Sequence, residues 1–261
     1  MRWNVFVVLK KRSIILAAVF VAVFAVLTAA LGATGSASVF FGVSKRKIPV
    51  YCVEAPEDGE KVVALTFDAA WGADKTQGIM DILTEYDADG TFFLVGFWLD
   101  KYPDTAKAIA DAGFEIGNHS ANHLNMPKLN AETMRAEITS VNARIEELTG
   151  TAPTYFRAPY GDYSDKLMTA VEELGMVGVQ WSVDSLDWKG LSAKEIADRV
   201  LPDVKSGDIV LFHNNSDHIL DALPLILLGL KNKGFRCVGL SELVATENFT
   251  VDHTGMQHKN A

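Results

Sequence analysis

From Lys61 to Ala245 the chain repeats one pattern: a short apolar run, a polar junction, then a stretch of helical periodicity. Val62–Phe67, Thr91–Val95, Phe114–Gly117, Thr154–Phe156, Met176–Ser182, Asp208–Phe212 and Phe235–Val238 read as strands. Asp74–Tyr86, Thr105–Ala112, Ala131–Leu148, Ser164–Leu174, Ala193–Val200, Ile219–Lys231 and Ser241–Ala245 read as helices, with Asp74 placed to cap the first. The clearest helix is Ala131–Leu148, where Met134, Ile138, Val141, Ile145 and Leu148 share one face and Gly150 gives the stop signal. Strands apolar on both faces, alternating with amphipathic helices, bury themselves in a parallel sheet under crossover helices. The pattern predicts an α/β fold, an irregular (β/α) barrel of about seven units, with an open doubly wound sheet as its competitor.

A different composition precedes this domain. Arg2, Lys10, Lys11 and Arg12 lead into an uncharged apolar run from Ser13 to Leu31. Crossing the hydrocarbon core takes about 20 such residues, and the basic flank stays on the cytoplasmic side. Residues 1–12 are therefore expected as a basic cytoplasmic N-terminus and 13–33 as one transmembrane helix or signal anchor. A cleaved secretory signal is the alternative, with cleavage among the small residues Ala33–Ser38. The length of the run favours the anchor, because secretory signals carry a shorter apolar stretch of about 7–15 residues. Both readings put the rest of the chain outside the cytoplasm: a linker and first strand over 34–60, the domain over 61–245, and a polar tail of little regular structure over 246–261. Cys52 and Cys237 each sit in an apolar, strand-like run. Outside the cytoplasm a disulfide between them would persist; the apolar surroundings favour two buried free thiols instead.

The formal net charge is −9, and no dense Lys/Arg stripe follows the first twelve residues. A sequence-independent nucleic-acid partner is excluded, because such binding needs cations to displace phosphate counterions. No glycine fingerprint follows the first strand, which excludes a nucleotide cofactor.

Five of the strands end in chemically capable residues. Asp68 follows the first, His119 and His123 the third, Arg157 and Tyr160 the fourth, Asp184, Asp187 and Trp188 the fifth, and His213 the sixth. In a β/α barrel the loops after the strands converge on one rim, where active sites are built. The spacing of His119 and His123 puts two imidazoles on one face if their loop turns helically, as in paired metal ligands. His213 has the chemistry of a general acid, with Asp184 or Asp187 as the carboxylate that holds its tautomer. Asp68 has the chemistry of a general base on water, with Arg157 as its counter-charge.

These residues resemble those of the polysaccharide deacetylases with a NodB-type domain. The resemblance rests on Thr66-Phe-Asp-Ala-Ala-Trp-Gly72, His119-Ser-Ala-Asn-His123, Arg157-Ala-Pro-Tyr160, Asp184-Ser-Leu-Asp-Trp188 and Leu211-Phe-His213, in that order. Phe67-Asp-Ala-Ala-Trp-Gly72, the N-terminal anchor and the Asp252-His-Thr-Gly255 tail are similar to the sporulation-associated, PdaB-like group. The resemblance implies an extracytoplasmic hydrolase that removes N-acetyl groups from a cell-wall glycan of peptidoglycan or spore-cortex type. It implies Asp68 as base, Arg157 as its partner, His213 as acid and Asp187 as the carboxylate that tunes the acid. It further implies the Tyr160 backbone N–H as a donor to the oxyanion, Trp188 and Leu211 as the wall for the acetyl methyl, and His119 and His123 as ligands of a divalent metal, zinc first. Ala69 stands where the family's motif carries a second aspartate, so the implied metal is weakly held unless Asp74 or Asn122 reaches it. The alternative implied by Ala69 is a catalytically silent protein that binds or assembles glycan.

Overall fold

The computed structural model describes residues 19–22, 46–55 and 59–260. Residues 19–22 are helical; the rest of the expected membrane segment over 13–33, and the N-terminus over 1–12, lie outside the described residues. Among the described residues no helix is long and apolar enough to cross a membrane.

The architecture grows from one buried strand. β2 (Lys61–Ala69) is buried from Val63 onward, because neighbours cover it on both faces and both edges. On one side it pairs in parallel with β3 (Thr91–Leu94), followed by β4 (Glu115–Asn118), β5 (Tyr155–Phe156) and β6 (Val177–Gly178). On the other side stand β8 (Ile209–His213) and then β7 (Val183–Asp184). These seven parallel strands form an open half-barrel, and β9 (Phe235–Val238) pairs with the first half of β2. The two-sided apolar pattern therefore produced the parallel sheet, but not a closed ring.

Helices α1 (Thr76–Glu85), α2 (Gly96–Lys101), α3 (Pro103–Asp111), α4 (Ala131–Thr149), α5 (Asp165–Glu173), α6 (Ala193–Val200), α7 (Ile219–Asn232) and α8 (Leu240–Leu243) connect the strands. Phe67 stacks on Phe92 at 5.0 Å and on Phe212 at 5.5 Å, so the core knits β2, β3 and β8 through aromatic rings. Gly117 in β4 makes room for this packing: a β-carbon there would meet the Phe93 ring at 2.5 Å.

Three expectations are corrected. Asp74 does not cap α1; the cap position is Lys75, with no side-chain hydrogen bond. The run Met176–Ser182 is not one strand. Its middle turns to the segment before β1 (Cys52–Val53): the Val50 N–H donates to the Gly178 carbonyl at 2.9 Å, and the Gln180 N–H donates to Val50 at 2.7 Å. Val50 bridges Val179 and Cys52 bridges Asp208, so residues 50–53 seal the open side of the half-barrel. The tail is also structured. β10 (Phe249–Val251) runs antiparallel to β11 (Met256–Lys259), which pairs in parallel with β1. The reversal between them is held by the Asp252 carboxylate, which accepts from the Thr254 N–H at 2.8 Å, the Thr254 hydroxyl at 2.6 Å and the Met256 N–H at 3.1 Å. Cys52 and Cys237 are free thiols, the first half-buried and the second buried.

Candidate active site

β2 and β8 run side by side in a register that sets Asp68 opposite His213 at their C-terminal ends. The Asn214 N–H donates to the Asp68 carbonyl at 3.1 Å and fixes that level. Two side chains at facing strand ends thus receive different partners from the loops around them.

Asp68 is 7% exposed, and Arg157, just past β5, is fully buried against it. One guanidinium nitrogen meets Asp68 Oδ1 at 2.8 Å and another donates to the Gln180 carbonyl at 3.0 Å. The guanidinium also lies 4.2 Å over the Phe93 ring. Burial alone would raise the Asp68 carboxyl; the charges of His119, Arg157 and His213 and the Arg157 hydrogen bond overcome it and hold it below the usual carboxylate range. Burial keeps His119 itself on the neutral side. The permanent charge of Arg157 is therefore the influence that persists at neutral pH.

His213 is turned by Asp187. Nδ1 of the imidazole lies 2.8 Å from Asp187 Oδ1, and the His213 backbone N–H donates to Asp187 Oδ2 at 2.8 Å. A carboxylate accepts only, so Nδ1 carries the proton and Nε2 is left for the site. Burial would lower this imidazole; the Asp187 hydrogen bond and charge outweigh it and leave it raised. Asp184, the other candidate carboxylate, accepts from the Leu186 N–H at 2.9 Å and braces the turn instead.

His119 and His123 do come together, with ring centroids 5.0 Å apart. They do so through left-handed backbone at Ser120 and His123 rather than through a helical turn. The loop is tied down twice. The Ser120 N–H donates to the Asn118 side chain at 2.8 Å, and the His123 N–H donates to the Ser120 hydroxyl at 3.1 Å. His119 Nδ1 faces the Arg157 carbonyl at 2.8 Å, so it too is the protonated nitrogen. Its Nε2 lone pair then points at Asp68 Oδ2, 3.4 Å away. His123 is pushed down to about 4, by burial first and His119 second, and its Nδ1 is buried without a partner.

That orphaned nitrogen tests the implied metal. Two imidazoles face the site, but a catalytic site normally takes three protein ligands. The third position is Ala69, a fully buried methyl. Asn122 does not reach in: its N–H and side-chain amide are both held by Glu137, at 2.8 and 2.6 Å. Asp74 is exposed, its carboxylate near Gly72. Among the described residues no three His, Cys, Asp or Glu side chains group to hold a metal ion. The residues present do not complete a metal site.

Tyr160 occupies a left-handed turn, φ 62°, and its ring packs edge-on to His123 at 4.6 Å. Leu211 is buried in β8, while Trp188 stands exposed on the short 3-10 turn Asp187–Lys189. Sequence reading missed Glu137, a buried carboxylate that positions the histidine loop. Its signal was present: in α4 it falls three residues after Met134 and one before Ile138, on the apolar face.

A family model for polysaccharide deacetylases matches residues 55–179. A peptidoglycan-N-acetylglucosamine deacetylase of Bacillus cereus is 38% identical over 188 residues, covering 70% of this chain and 68% of that protein. The peptidoglycan-N-acetylmuramic acid deacetylase PdaC of Bacillus subtilis is 33% identical over 190 residues, 73% of this chain and 40% of that one. Among solved structures, a CE4 family pseudoenzyme from Bacillus anthracis superposes with a TM-score of 0.72 at 32% identity, covering 76% of this chain and 69% of that one. A mutant of that pseudoenzyme, described as having restored enzymatic activity, gives 0.72 at 33% identity, covering 76% of this chain and 71% of that one.

Proposed function

The chain belongs to the polysaccharide deacetylase family, and on that premise we propose that it removes N-acetyl groups from a cell-wall glycan of peptidoglycan type, outside the cytoplasm. The observation that carries this reading is the pairing of Asp68–Arg157 with His213–Asp187 on adjacent strands: one carboxylate held below its usual range, one imidazole raised above its own. Sites that hold an acid and a base apart in this way suit amide hydrolysis.

Asp68 accepts a proton from water, whose oxygen attacks the acetamide carbonyl carbon. The carbonyl oxygen gains the electron pair and is met by the Tyr160 backbone N–H. As the C–N bond breaks, His213 Nε2 gives its proton to the departing sugar nitrogen. Acetate and a free amine on the glycan are the products. Asp187 orients the imidazole throughout and supports its positive charge. Leu211 and Trp188 form the apolar surround of the acetyl methyl, whose burial contributes about 1 kcal/mol. No step runs through a metal, because the ligand set is incomplete. The N-terminal apolar run supports placement outside the cytoplasm.

A second reading is favoured by Ala69 and by the pseudoenzyme neighbours: a catalytically silent glycan-binding or assembly protein. The two separate in one experiment. The full chain is incubated with N-acetylated peptidoglycan, with and without chelator, and acetate and bound metal are measured. Acetate release that Asp68→Asn and His213→Ala abolish establishes the hydrolase. Release that a chelator also abolishes adds a metal held by the two histidines. Glycan binding with no acetate leaves the silent protein.

A further inference from the structure

Gln180 is 2% exposed, between Val179 and Trp181, and the acid–base chemistry leaves its side chain unused. A primary amide taken out of water needs partners. The backbone of this residue has two. Its N–H donates to the Val50 carbonyl at 2.7 Å, and its carbonyl accepts from the Arg157 guanidinium at 3.0 Å. The side chain has a third: Nε2 donates to the Gly161 carbonyl at 3.2 Å, 19 residues back in the chain.

Gly161 closes the turn that carries Tyr160. Both residues are left-handed, with φ of 62° at Tyr160 and 70° at Gly161. A tyrosine in that region is strained and persists only where its surroundings over-determine it. Within the turn the Gly161 N–H donates to the Ala158 carbonyl at 3.1 Å, and the Asp162 N–H to the Pro159 carbonyl at 3.2 Å. Among the described residues the Tyr160 N–H meets no backbone acceptor, so it is the donor left over. From outside, Asn125 ties Asp162 at the surface at 2.5 Å. In the interior the brace is Gln180 on the Gly161 carbonyl, with Trp181 beside it: a β-carbon at Gly161 would meet the indole at 3.0 Å.

We propose that Gln180 is a positioning residue for the reaction: through the Gly161 carbonyl it sets the direction of the Tyr160 N–H, and so the place where the acetamide oxygen is met as it gains charge. The inference rests on the reading of this chain as a deacetylase and deepens it. The same residue also binds Arg157, so one peptide and its amide fix the oxyanion donor relative to the counter-charge of the base. Those two must stay in step. Asp68 directs the water while Tyr160 receives the carbonyl oxygen, and a misplacement of about 1 Å can cost a hundredfold in rate. A contribution of this kind exists only where the oxygen carries charge. It belongs to kcat and to the binding of a tetrahedral anion, not to the binding of the acetylated glycan.

The test uses the full chain, the N-acetylglucosamine tetramer, and a tetramer analogue in which a methylphosphonamidate, a tetrahedral anion, replaces one acetamide. Gln180→Met keeps the length of the side chain and both backbone bonds but removes the donor. Gln180→Glu sets a carboxylate against the Gly161 carbonyl. Each is expected to lower kcat for acetate release about tenfold to a hundredfold with KM little changed, and to weaken analogue binding by a similar factor. Binding of the acetylated tetramer should stay as in the unaltered chain. A lower melting temperature with kcat and analogue affinity unchanged would overturn the proposal and make Gln180 a buried amide of the fold alone. Equal losses for tetramer and analogue, or a raised KM at constant kcat, would overturn it as well. No acetate from the unaltered chain removes the hydrolase, and the analogue then decides Gln180: an affinity that depends on the amide keeps the positioning role, and one indifferent to it removes both.

Discussion

Two histidines in this molecule meet a carboxylate at the same 2.8 Å, His213 with Asp187 at the strand ends and His258 with Glu54 at the terminal hairpin. Both imidazoles are raised by their carboxylates. The Asp187 side chain is fully buried, whereas that of Glu54 is 61% exposed. Asp187 also receives the His213 backbone N–H, so the imidazole has one orientation and one tautomer. His258 is shared between Glu54 and Asp252, with water around all three. Distance alone therefore does not make an acid. Exclusion of water turns the first pair into a poised proton donor, and its access leaves the second as a screened clasp between β1 and the hairpin.

The largest effect should come from the buried pair. Asp187→Asn is expected to cut acetate release by about 10²–10⁴-fold, because the imidazole loses both its orienting acceptor and its supporting charge. A loss under tenfold would mean that burial, and not the carboxylate, sets up His213. Next, Arg157→Met leaves Asp68 buried without a counter-charge and should cost about 3–5 kcal/mol in chemical denaturation. Arg236, which pairs with Glu60 and Glu242 at the surface, provides the contrast, and Arg236→Met should scarcely move the denaturation midpoint.

The third effect is a pH limb. His213 is raised, so its acid form is present below that raised value and is lost as pH climbs through it. Acetate release at saturating glycan should fall there, and the limb should move to lower pH in whatever activity Asp187→Asn retains. The smallest effect belongs to the clasp. Since His258 is raised, its contribution to stability is present below its unfolded value and is lost as pH rises through the folded one. His258→Gln should lower the melting temperature slightly at mildly acidic pH, less at alkaline pH, and less again in high salt. A large, salt-independent drop would show the hairpin to be as dry as the strand ends.

The same contrast explains what was legible in the sequence. Asp68, His119, Arg157 and His213 each sit at or just past the end of an apolar run, so the burial that makes them reactive also marks their position. The hairpin had no such mark. β10 and β11 are short and mostly half-buried, and β11 is ordered by pairing with β1 some two hundred residues earlier. Asp187 and Asp184 could not be separated until the turn between them was seen, since both follow the same strand. The division of Met176–Ser182 was equally hidden, because its cause is Val50, far away in the chain. Glu137 was readable, as a charged residue on an apolar helix face, but only to an eye that asks what a misplaced charge is holding.

The seam sealed by residues 50–53 has a consequence for the order of assembly. Among the described residues β1 is the first strand of the domain and β11 the last, and the two pair in parallel. A chain delivered from its N-terminus can stack β2 through β8 as they arrive, but β1 finds its ladder only when Met256 and its neighbours appear. Until then the sheet's open flank, with Val179 and Asp208 along it, lacks that reinforcement. Closure is thus a late event of high sequence separation. Loss of the final strand would show first as slow, incomplete folding rather than as damage to the chemistry at Asp68 and His213.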